Sequence, residues 1–507
     1  MALVNALHEE DDALNAARSA LLAGKPAVVY RRIIADLDTP VSAYLKLTKG
    51  ETHSCLLESV EGGEIRGRYS IIGFAPDRLL KIEGDTALVG TSDDSLEPID
   101  GAPLDALRQQ LAESEIELPE SLPPMAAGWV GYMGYDLVRQ MERLGPQKPD
   151  PIELPTALLI RPTIMAVFDS IANSITIVTP VRPSGDNDGN DIDTILEHAR
   201  QRLDETMERL YAPLPRNSGA GDIQLDDQPV SNTPKDTYEA MVNKAKDYIL
   251  AGDIFQVVLS QRFSQPFDLP PFSLYRALRR TNPSPFLYHL SFGDMAIVGS
   301  SPEILVRLRD NKVTIRPIAG TRPRGETTEQ DSALENELLA DPKELSEHLM
   351  LLDLGRNDVG RVAADGSVAV TAQNTIERYS HVMHIVSNVE GELRDDKDMI
   401  DALAAGFPAG TVSGAPKVRA MEIIDELELE GRSAYAGAVG YFSACGDMDT
   451  AIVLRTGIIK DGTLYVQAGA GIVADSKPEM EQAECEAKAS ALFYAAGEAK
   501  KAASANS

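Results

Sequence analysis

The sequence predicts an α+β fold, with large antiparallel β-sheets flanked by helices and a β-rich N-terminal domain. Three observations carry this expectation. Strand-like runs follow one another in clusters rather than alternating one-for-one with helices, as a doubly wound sheet would require. The chain has 507 residues, enough for two or three domains. Apolar residues make up 43% of it, so a large core can be buried and wholesale disorder is excluded.

Residues 1–25 are Ala-rich and charged and predict a helix. From 27 to about 180 come the runs AVVYRRI, YSIIGF, ALLIRPTIMAVF and ITIVTPV, punctuated by Gly and Pro, which predict strands. VRPSGDNDGN, 181–190, predicts a loop, and a helical pattern follows from Ile195. Residues 212–234, APLPRNSGAGDIQLDDQPVSNTP, are rich in Pro, Gly, Asp and Asn and predict a linker between domains at 1–211 and 235–500. Residues 235–250 predict a helix stopped by Gly252. Strands resume at FQVVLSQRF, MAIVGSS, ILVRL and VTIRPI, and helices interrupt at 341–353 and 414–428. AGAVGYFSA, DTAIVLRTGII and GTLYVQAGAGIV return to strand before a last helix from about Ser476. There is no fixed-period repeat.

The formal net charge of −30 repels phosphate backbones and anionic lipid, which excludes nucleic acid and membrane surfaces as expected partners. Any anion site must therefore be locally positive or carry a metal ion. Cys55, Cys445 and Cys485 form no CxxC pair, which argues against a zinc ribbon or disulfide framework and suits a reducing compartment. The start lacks a basic segment followed by an apolar run, and no apolar stretch reaches the roughly 20 residues of a membrane helix. A soluble cytoplasmic protein is expected.

Two helices attract attention for chemistry. In DPKELSEHLMLLDLGRND, Asp341 is placed to cap, Pro342 suits the first turn and Glu344 completes a capping box. Leu345, Leu349 and Leu352 mark a buried stripe, with Glu347 and His348 beside it. In SKPEMEQAECEAKASAL, Ser476 and Glu479 suggest a second capping box, and Glu481, Glu484 and Lys488 share one face. Carboxylates from separate helices suit Mg²⁺, which keeps positions for water and substrate oxygen. Periodicity alone favours two solvated acidic faces and a Glu484–Lys488 surface pair.

Gln467-Ala-Gly-Ala-Gly-Ile-Val473 ends a strand, and its small residues let a carboxylate ligand approach the backbone N–H groups. It lacks the third glycine of a dinucleotide fingerprint. Gly410-Thr-Val-Ser-Gly-Ala-Pro416 is not a GxSxG elbow, and by itself reads as a helix start capped by Ser413. His381 and His384 have no third zinc ligand at a recognisable spacing. Arg455, within the apolar run AIVLRTGII, needs an anion as partner, whether a side chain or a substrate carboxylate.

These segments resemble the chorismate-utilising enzymes, and within them the large components of anthranilate synthases. The matching motifs are SSPEILV (300–306), PIAGTRPRG (317–325), KELSEHLMLLDLGRND (343–358) and YSHVMHIVSNVEGEL (379–393). GTVSGAPKVRAMEIID (410–425), YAGAVGYF (435–442), DTAIVLRT (449–456), QAGAGIV (467–473) and the terminal helix complete the set, over roughly 235–495. The resemblance implies a lyase that makes anthranilate and pyruvate from chorismate and ammonia by way of aminodeoxyisochorismate, the first committed step of tryptophan synthesis. It implies that Glu347 and Glu484 hold Mg²⁺, with Glu481 close by. Tyr435, Arg455, Lys488 and the backbone at Gly469, Ala470 and Gly471 would hold the enolpyruvyl carboxylate, and Gly320 and Thr321 would line the ring. Glu303 matches the general acid that protonates the departing 4-hydroxyl, while His384 and Thr411 match positions tied to loss of pyruvate.

Within the family, Ala319 stands where aminodeoxychorismate synthases carry a Lys, and Gln256 where isochorismate and salicylate synthases carry a water-activating Lys. Both departures favour ammonia as nucleophile and anthranilate as product, with Ala319 set against aminodeoxychorismate and Gln256 against isochorismate and salicylate. LLES (56–59) and GWVGYMGYD (128–136) resemble the regulatory half of the family, which implies feedback inhibition by tryptophan held at Ser59 and at Pro285, Phe286 and Leu287. The loop reads NPSPFLY, with Phe and Leu in place of the family's Tyr and Met. No cysteine lies in a glutaminase-like nucleophile turn, so a separate glutamine amidotransferase subunit, component II, is the expected source of ammonia. A tryptophan-binding regulator without chemistry is the alternative of a different class. It predicts degraded metal ligands, yet Glu347, Glu481 and Glu484 all stand.

Overall fold

A computed structural model describes residues 2–61, 65–183, 191–215, 227–379 and 382–505. Most of the loop predicted at 181–190, about half of the linker predicted at 212–234, and His381 lie outside the described residues.

The helices in chain order are α1 (Ala2–Leu22), α2 (Pro40–Leu47), α3 (Pro103–Ala112), α4 (Ile192–Tyr211), α5 (Lys235–Ala251) and α6 (Pro271–Thr281). They continue with α7 (Thr328–Ala340), α8 (Pro342–Gly360), α9 (Met399–Gly406), α10 (Lys417–Leu427) and α11 (Pro478–Ser504). Their starts follow local chemistry. Asp191 caps α4 by accepting from Thr194 N, and Gly252 ends α5 with φ +83°, the left-handed geometry a glycine adopts without strain.

The strands form one antiparallel ladder that carries the chain back and forth between its two halves. Gln256–Pro266 pairs with Thr463–Ile472, which pairs with Thr456–Lys460, then Met295–Ser301, then Phe286–Phe292. There the ladder passes to the N-terminal strands His53–Glu61, Ile65–Glu83, Ala157–Asp169 and Gly128–Met133. It returns through Ala438–Ser443, Met448–Ile452, Ile304–Arg309, Lys312–Ile315 and Val382–Glu392 to Ile318–Pro323. Gly128–Met133, Met295–Ser301 and Ala438–Ser443 are buried at every residue, which is why they read as short unbroken apolar runs rather than alternating ones. Trp129 is fully buried among them and donates its indole N–H to Ser114 Oγ at 2.9 Å.

Several local expectations need correction. Asp341 does cap α8, accepting from Lys343 N and Glu344 N. Glu344 closes no capping box, because its carboxylate turns to Arg322 at 3.4 Å. α8 runs on to Gly360, and its buried face is His348, Leu352, Gly355, Asp358 and Val359, while Leu349 is 53% exposed. Ser476 is not the cap of α11; its hydroxyl accepts from Val473 N in the preceding turn. Ser413 caps no helix either, since it donates to Ala409 O and α10 starts only at Lys417. The run DTAIVLRTGII is two strands, broken at Arg455 with φ +52°. A side chain at that φ is strained, and alternation of apolar residues carries no signal of it.

Candidate active site

A cavity of about 600 Å³ opens where α8 and α11 face the ends of Gln256–Pro266, Ile318–Pro323 and Thr463–Ile472. Of the residues expected for catalysis, substrate and metal, all line it except Ala470. Strand alternation explains the exception. Gly469 and Gly471 face the cavity, and Ala470, between them, packs into the core.

The glycines keep the backbone reachable. A Cβ on Gly469 would sit 2.8 Å from the Tyr435 hydroxyl, and one on Gly471 would sit 2.6 Å from the Gln256 amide. At Gly320, in the register shift of strand Ile318–Pro323, φ is +71°, which favours glycine, and a Cβ would press on Ile385 at 3.1 Å and on Glu344 Oε2 at 3.2 Å.

Glu303 follows Pro302, just past the buried strand Met295–Ser301, and is half-buried in the cavity wall. Burial pushes its carboxyl up to about 8, opposed by a hydrogen bond from Thr411 Oγ1, which donates to its two oxygens at 3.1 and 3.2 Å. At neutral pH it is therefore an acid rather than a carboxylate. His384 has Nδ1 3.0 Å from Thr321 Oγ1 and 3.2 Å from the Gly320 carbonyl. Burial lowers its pKa, the Gly320 carbonyl opposes that, and Arg455 lowers it further, so the imidazole is neutral. Arg455 has no salt bridge among the described residues; its pKa falls through burial, with the Tyr435 hydroxyl a favourable but weaker influence. A half-buried guanidinium facing the cavity with no anion among the described residues is half of a recognition pair.

At the mouth, Lys488 Nζ donates to the Gly469 carbonyl at 2.9 Å and pairs with Glu484 at 2.7 Å. Burial raises Glu347 and Glu481, and the charge of Glu484 raises both further. Three mutually repelling carboxylates from two helices are the oxygen donors a hard divalent cation takes. Among the described residues no three acidic, His or Cys side chains converge as a finished metal cage. Mg²⁺ needs none, since it uses one or two carboxylates and fills its octahedron with water and substrate. Lys343, 3.9 Å from Glu347, and the Asp475–Lys477 turn also line this mouth, and sequence inspection missed them because nothing in their spacing marks them.

A second cavity, about 810 Å³, lies between the N-terminal strands and the sheet that carries Glu303. It brings together Ser59, Pro285, Phe286 and Leu287, and Phe286 is the register partner of Ser59 across neighbouring strands. Ser59 Oγ donates to the Tyr69 carbonyl at 3.2 Å. Beside it the buried Glu58 is held by Arg279 at 2.6 and 3.0 Å and by the Tyr275 hydroxyl. The cavity's far side carries Arg307, Arg309, Arg316, Glu377 and Asp449, a polar set scattered too widely in the chain to be seen as one.

Comparison with known proteins gives a consistent answer. Over 481 residues the chain is 54% identical to anthranilate synthase component 1 of Cereibacter sphaeroides, covering 94% of this chain and 96% of that one. It is 49% identical to the protein of the same description from Pseudomonas aeruginosa, covering 91% and 94%. The crystal structure of anthranilate synthase component I from Streptococcus pneumoniae superposes with a TM-score of 0.74 at 39% identity, covering 91% and 98%. The menaquinone-specific isochorismate synthase of Escherichia coli shares the fold, with a TM-score of 0.67 at 20% identity, covering 96% and 100%. The family model described as chorismate binding enzyme matches residues 52–494, a span that takes in both cavities, and the chain belongs to that family.

Proposed function

We propose that this chain is the chorismate-converting component of an anthranilate synthase, turning chorismate and ammonia into anthranilate, pyruvate and water. One observation carries the reading: a carboxyl at Glu303, whose pKa burial raises to about 8, in the same cavity as an Arg455 with no salt bridge among the described residues. Loss of the ring hydroxyl needs an acid that still holds its proton at working pH, and the dianionic substrate needs a cation free to pair.

Arg455, the Tyr435 hydroxyl, Lys488 and the backbone N–H groups at Gly469 and Gly471 would bind the enolpyruvyl carboxylate, and Gly320 and Thr321 would line the ring. Glu303 gives its proton to the 4-hydroxyl, which leaves as water while the ring double bonds shift and ammonia forms the new C–N bond at C2. The resulting aminodeoxyisochorismate then loses its C2 proton and the enolpyruvyl group, which departs as pyruvate, and the ring becomes aromatic. His384, neutral and fixed through Nδ1, is suited to accept a proton in that second half, with Thr411 beside it. Glu347 and Glu484, with Glu481 adjacent, would hold Mg²⁺. When bound, that ion supplies positive charge to anchor the ring carboxylate in a protein whose net charge is −30.

The same reading includes a separate glutaminase subunit that supplies ammonia, a cytoplasmic location, and tryptophan as inhibitor in the second cavity. Its support is the absence of a nucleophile turn around Cys55, Cys445 or Cys485, and the meeting of Ser59 with Pro285, Phe286 and Leu287. The division at 212–234 between regulatory and catalytic parts is retained as part of it. The test is an assay of the purified chain with chorismate, ammonium at alkaline pH and Mg²⁺, following anthranilate fluorescence with and without EDTA. Metal-dependent anthranilate is expected. Accumulation of aminodeoxychorismate instead, against which Ala319 stands, would overturn the product. A folded chain with no turnover would favour the regulator.

A further inference from the structure

The two cavities share a wall one side chain thick. Pro302 and Ile318 face both. Tyr379 belongs to this wall too: it lines the larger cavity, and its ring meets His384 edge-on, with centroids 5.5 Å apart and planes at 60°. Its hydroxyl donates to Glu377 Oε2 at 2.9 Å, and Glu377 pairs with Arg316, both facing the larger cavity. Its backbone is fixed as well, the N–H donating to Val382 O at 2.8 Å and the carbonyl accepting from Arg324 at 2.7 Å.

An imidazole held only through one nitrogen keeps a soft terminal torsion, because sp³–sp² torsions have broad wells. The hydrogen bonds of His384 to Thr321 and Gly320 both act at Nδ1 and leave the ring's orientation to packing, and the Tyr379 ring packs against it edge-on. We propose that Tyr379 is a positioning residue for His384, clamped from the neighbouring cavity through Glu377 and Arg316, so that the polar wall of one cavity sets the imidazole's orientation in the other. For what His384 does in the reaction, the proposal rests on the function proposed above. Its geometric content stands apart from that.

The charged groups that bear on His384 are Arg455, which lowers its pKa, and Glu377, which raises it. Tyr379→Leu removes the ring and admits water; Tyr379→Phe and Glu377→Gln keep the ring and cut the clamp. In Y379L, kcat should fall about tenfold or more, as expected for a displaced proton-transfer group, with the chorismate KM within about twofold and the non-aromatic amino intermediate accumulating. Y379F and E377Q should lose about threefold in kcat with the same product split. A second readout needs no turnover: the His384 imidazole, followed by NMR in histidine-labelled chain and assigned with His384→Asn, should titrate higher in Y379L than in wild type. Wild-type product split and an unmoved His384 titration in Y379L would overturn the proposal, as would a loss confined to thermal stability. If the wild-type chain does not turn over chorismate, the proposed function fails and the titration alone decides for Tyr379. If Y379L does not fold, Tyr379→Met takes its place under the same criteria.

Discussion

The Thr411 hydroxyl donates to both oxygens of the Glu303 carboxyl, from 3.1 and 3.2 Å, and so ties the turn Gly410–Val412 to the residue that must act as an acid. Burial raises the Glu303 pKa to about 8, and the Thr411 hydrogen bond works against that rise. Taking the hydroxyl away leaves burial unopposed. Thr411→Val should therefore move the basic limb of the pH profile of kcat/KM upward. Glu303→Gln should lower kcat by about 10²–10⁴ and remove that limb. A basic limb that stays in place in T411V, or near-wild-type turnover in E303Q, counts against the assignment.

The same carboxyl makes folding stability depend on pH. Its ordinary value is 4.5 and its folded value about 8, so the folded chain binds the extra proton between those limits. Stability is then lost as pH rises through that window, by on the order of a few kcal/mol for a shift of this size. Glu303→Gln cannot ionise. The midpoint of thermal unfolding of E303Q minus that of wild type should thus increase from pH 5 to pH 9. A constant difference across that range would refute the buried-acid account.

Much of this was legible in the sequence for physical reasons that can be named. Strands buried on both faces read as unbroken apolar runs, so Met295–Ser301 and Ala438–Ser443 were visible. The cavity residues sit in motifs long enough to be compared with a family, and the fold brings Glu303, His384, Arg455 and Glu484 to one cavity from four separate elements. What escaped was set by tertiary contacts. α7 has buried residues only at Asp331 and Leu338, so it shows little amphipathic pattern. Leu349 belongs to an apolar-looking stripe yet faces outward, because His348, buried and 2.6 Å from Ser387, takes the inward position. Tyr379 sits in the connection between the antiparallel partners Ala369–Arg378 and Val382–Glu392, and only the folded sheet brings it to the wall.

Ser59 and Phe286 face one another across the register of neighbouring strands, at the edge of the larger cavity. Ser59→Leu puts a branched side chain where the expected inhibitor would lie. The tryptophan concentration for half-inhibition, measured against each variant's own uninhibited rate, should rise at least about tenfold, as losing roughly 1.4 kcal/mol of binding requires. Unchanged inhibition would place tryptophan elsewhere.

Glu484 sits between a cation it has and one it is expected to take. It pairs with Lys488 at 2.7 Å, and its charge raises the pKa of Glu347 and Glu481. Glu484→Gln removes one ligand and relieves the repulsion. The Mg²⁺ concentration for half-maximal activity should rise about 10- to 100-fold, while excess Mg²⁺ restores part of the rate. Titration of activity against free Mg²⁺ checks this. An unaltered Mg²⁺ dependence would leave Glu484 as a surface partner of Lys488 and nothing more.

Arg455 is costly to keep twice over. Its backbone lies at φ +52°, where a non-glycine residue is strained by roughly 1–3 kcal/mol, and its half-buried guanidinium, with its pKa lowered by burial, has no anionic partner among the described residues. Costs of this kind persist where function needs them, so removing them should stabilise the protein and abolish its purpose. Arg455→Gly suits the backbone and deletes the unpaired charge. It should unfold at a higher temperature than wild type, yet show a KM for chorismate raised at least about 100-fold, since a paired carboxylate–guanidinium contact is worth roughly 3 kcal/mol. Arg455→Lys keeps charge without the two-pronged geometry and should fall between, with KM raised about tenfold. Both numbers come from one set of thermal melts and one set of saturation curves. If R455G is less stable than wild type, Arg455 is a structural residue whose partner lies in the protein, and its role toward substrate is lost with it.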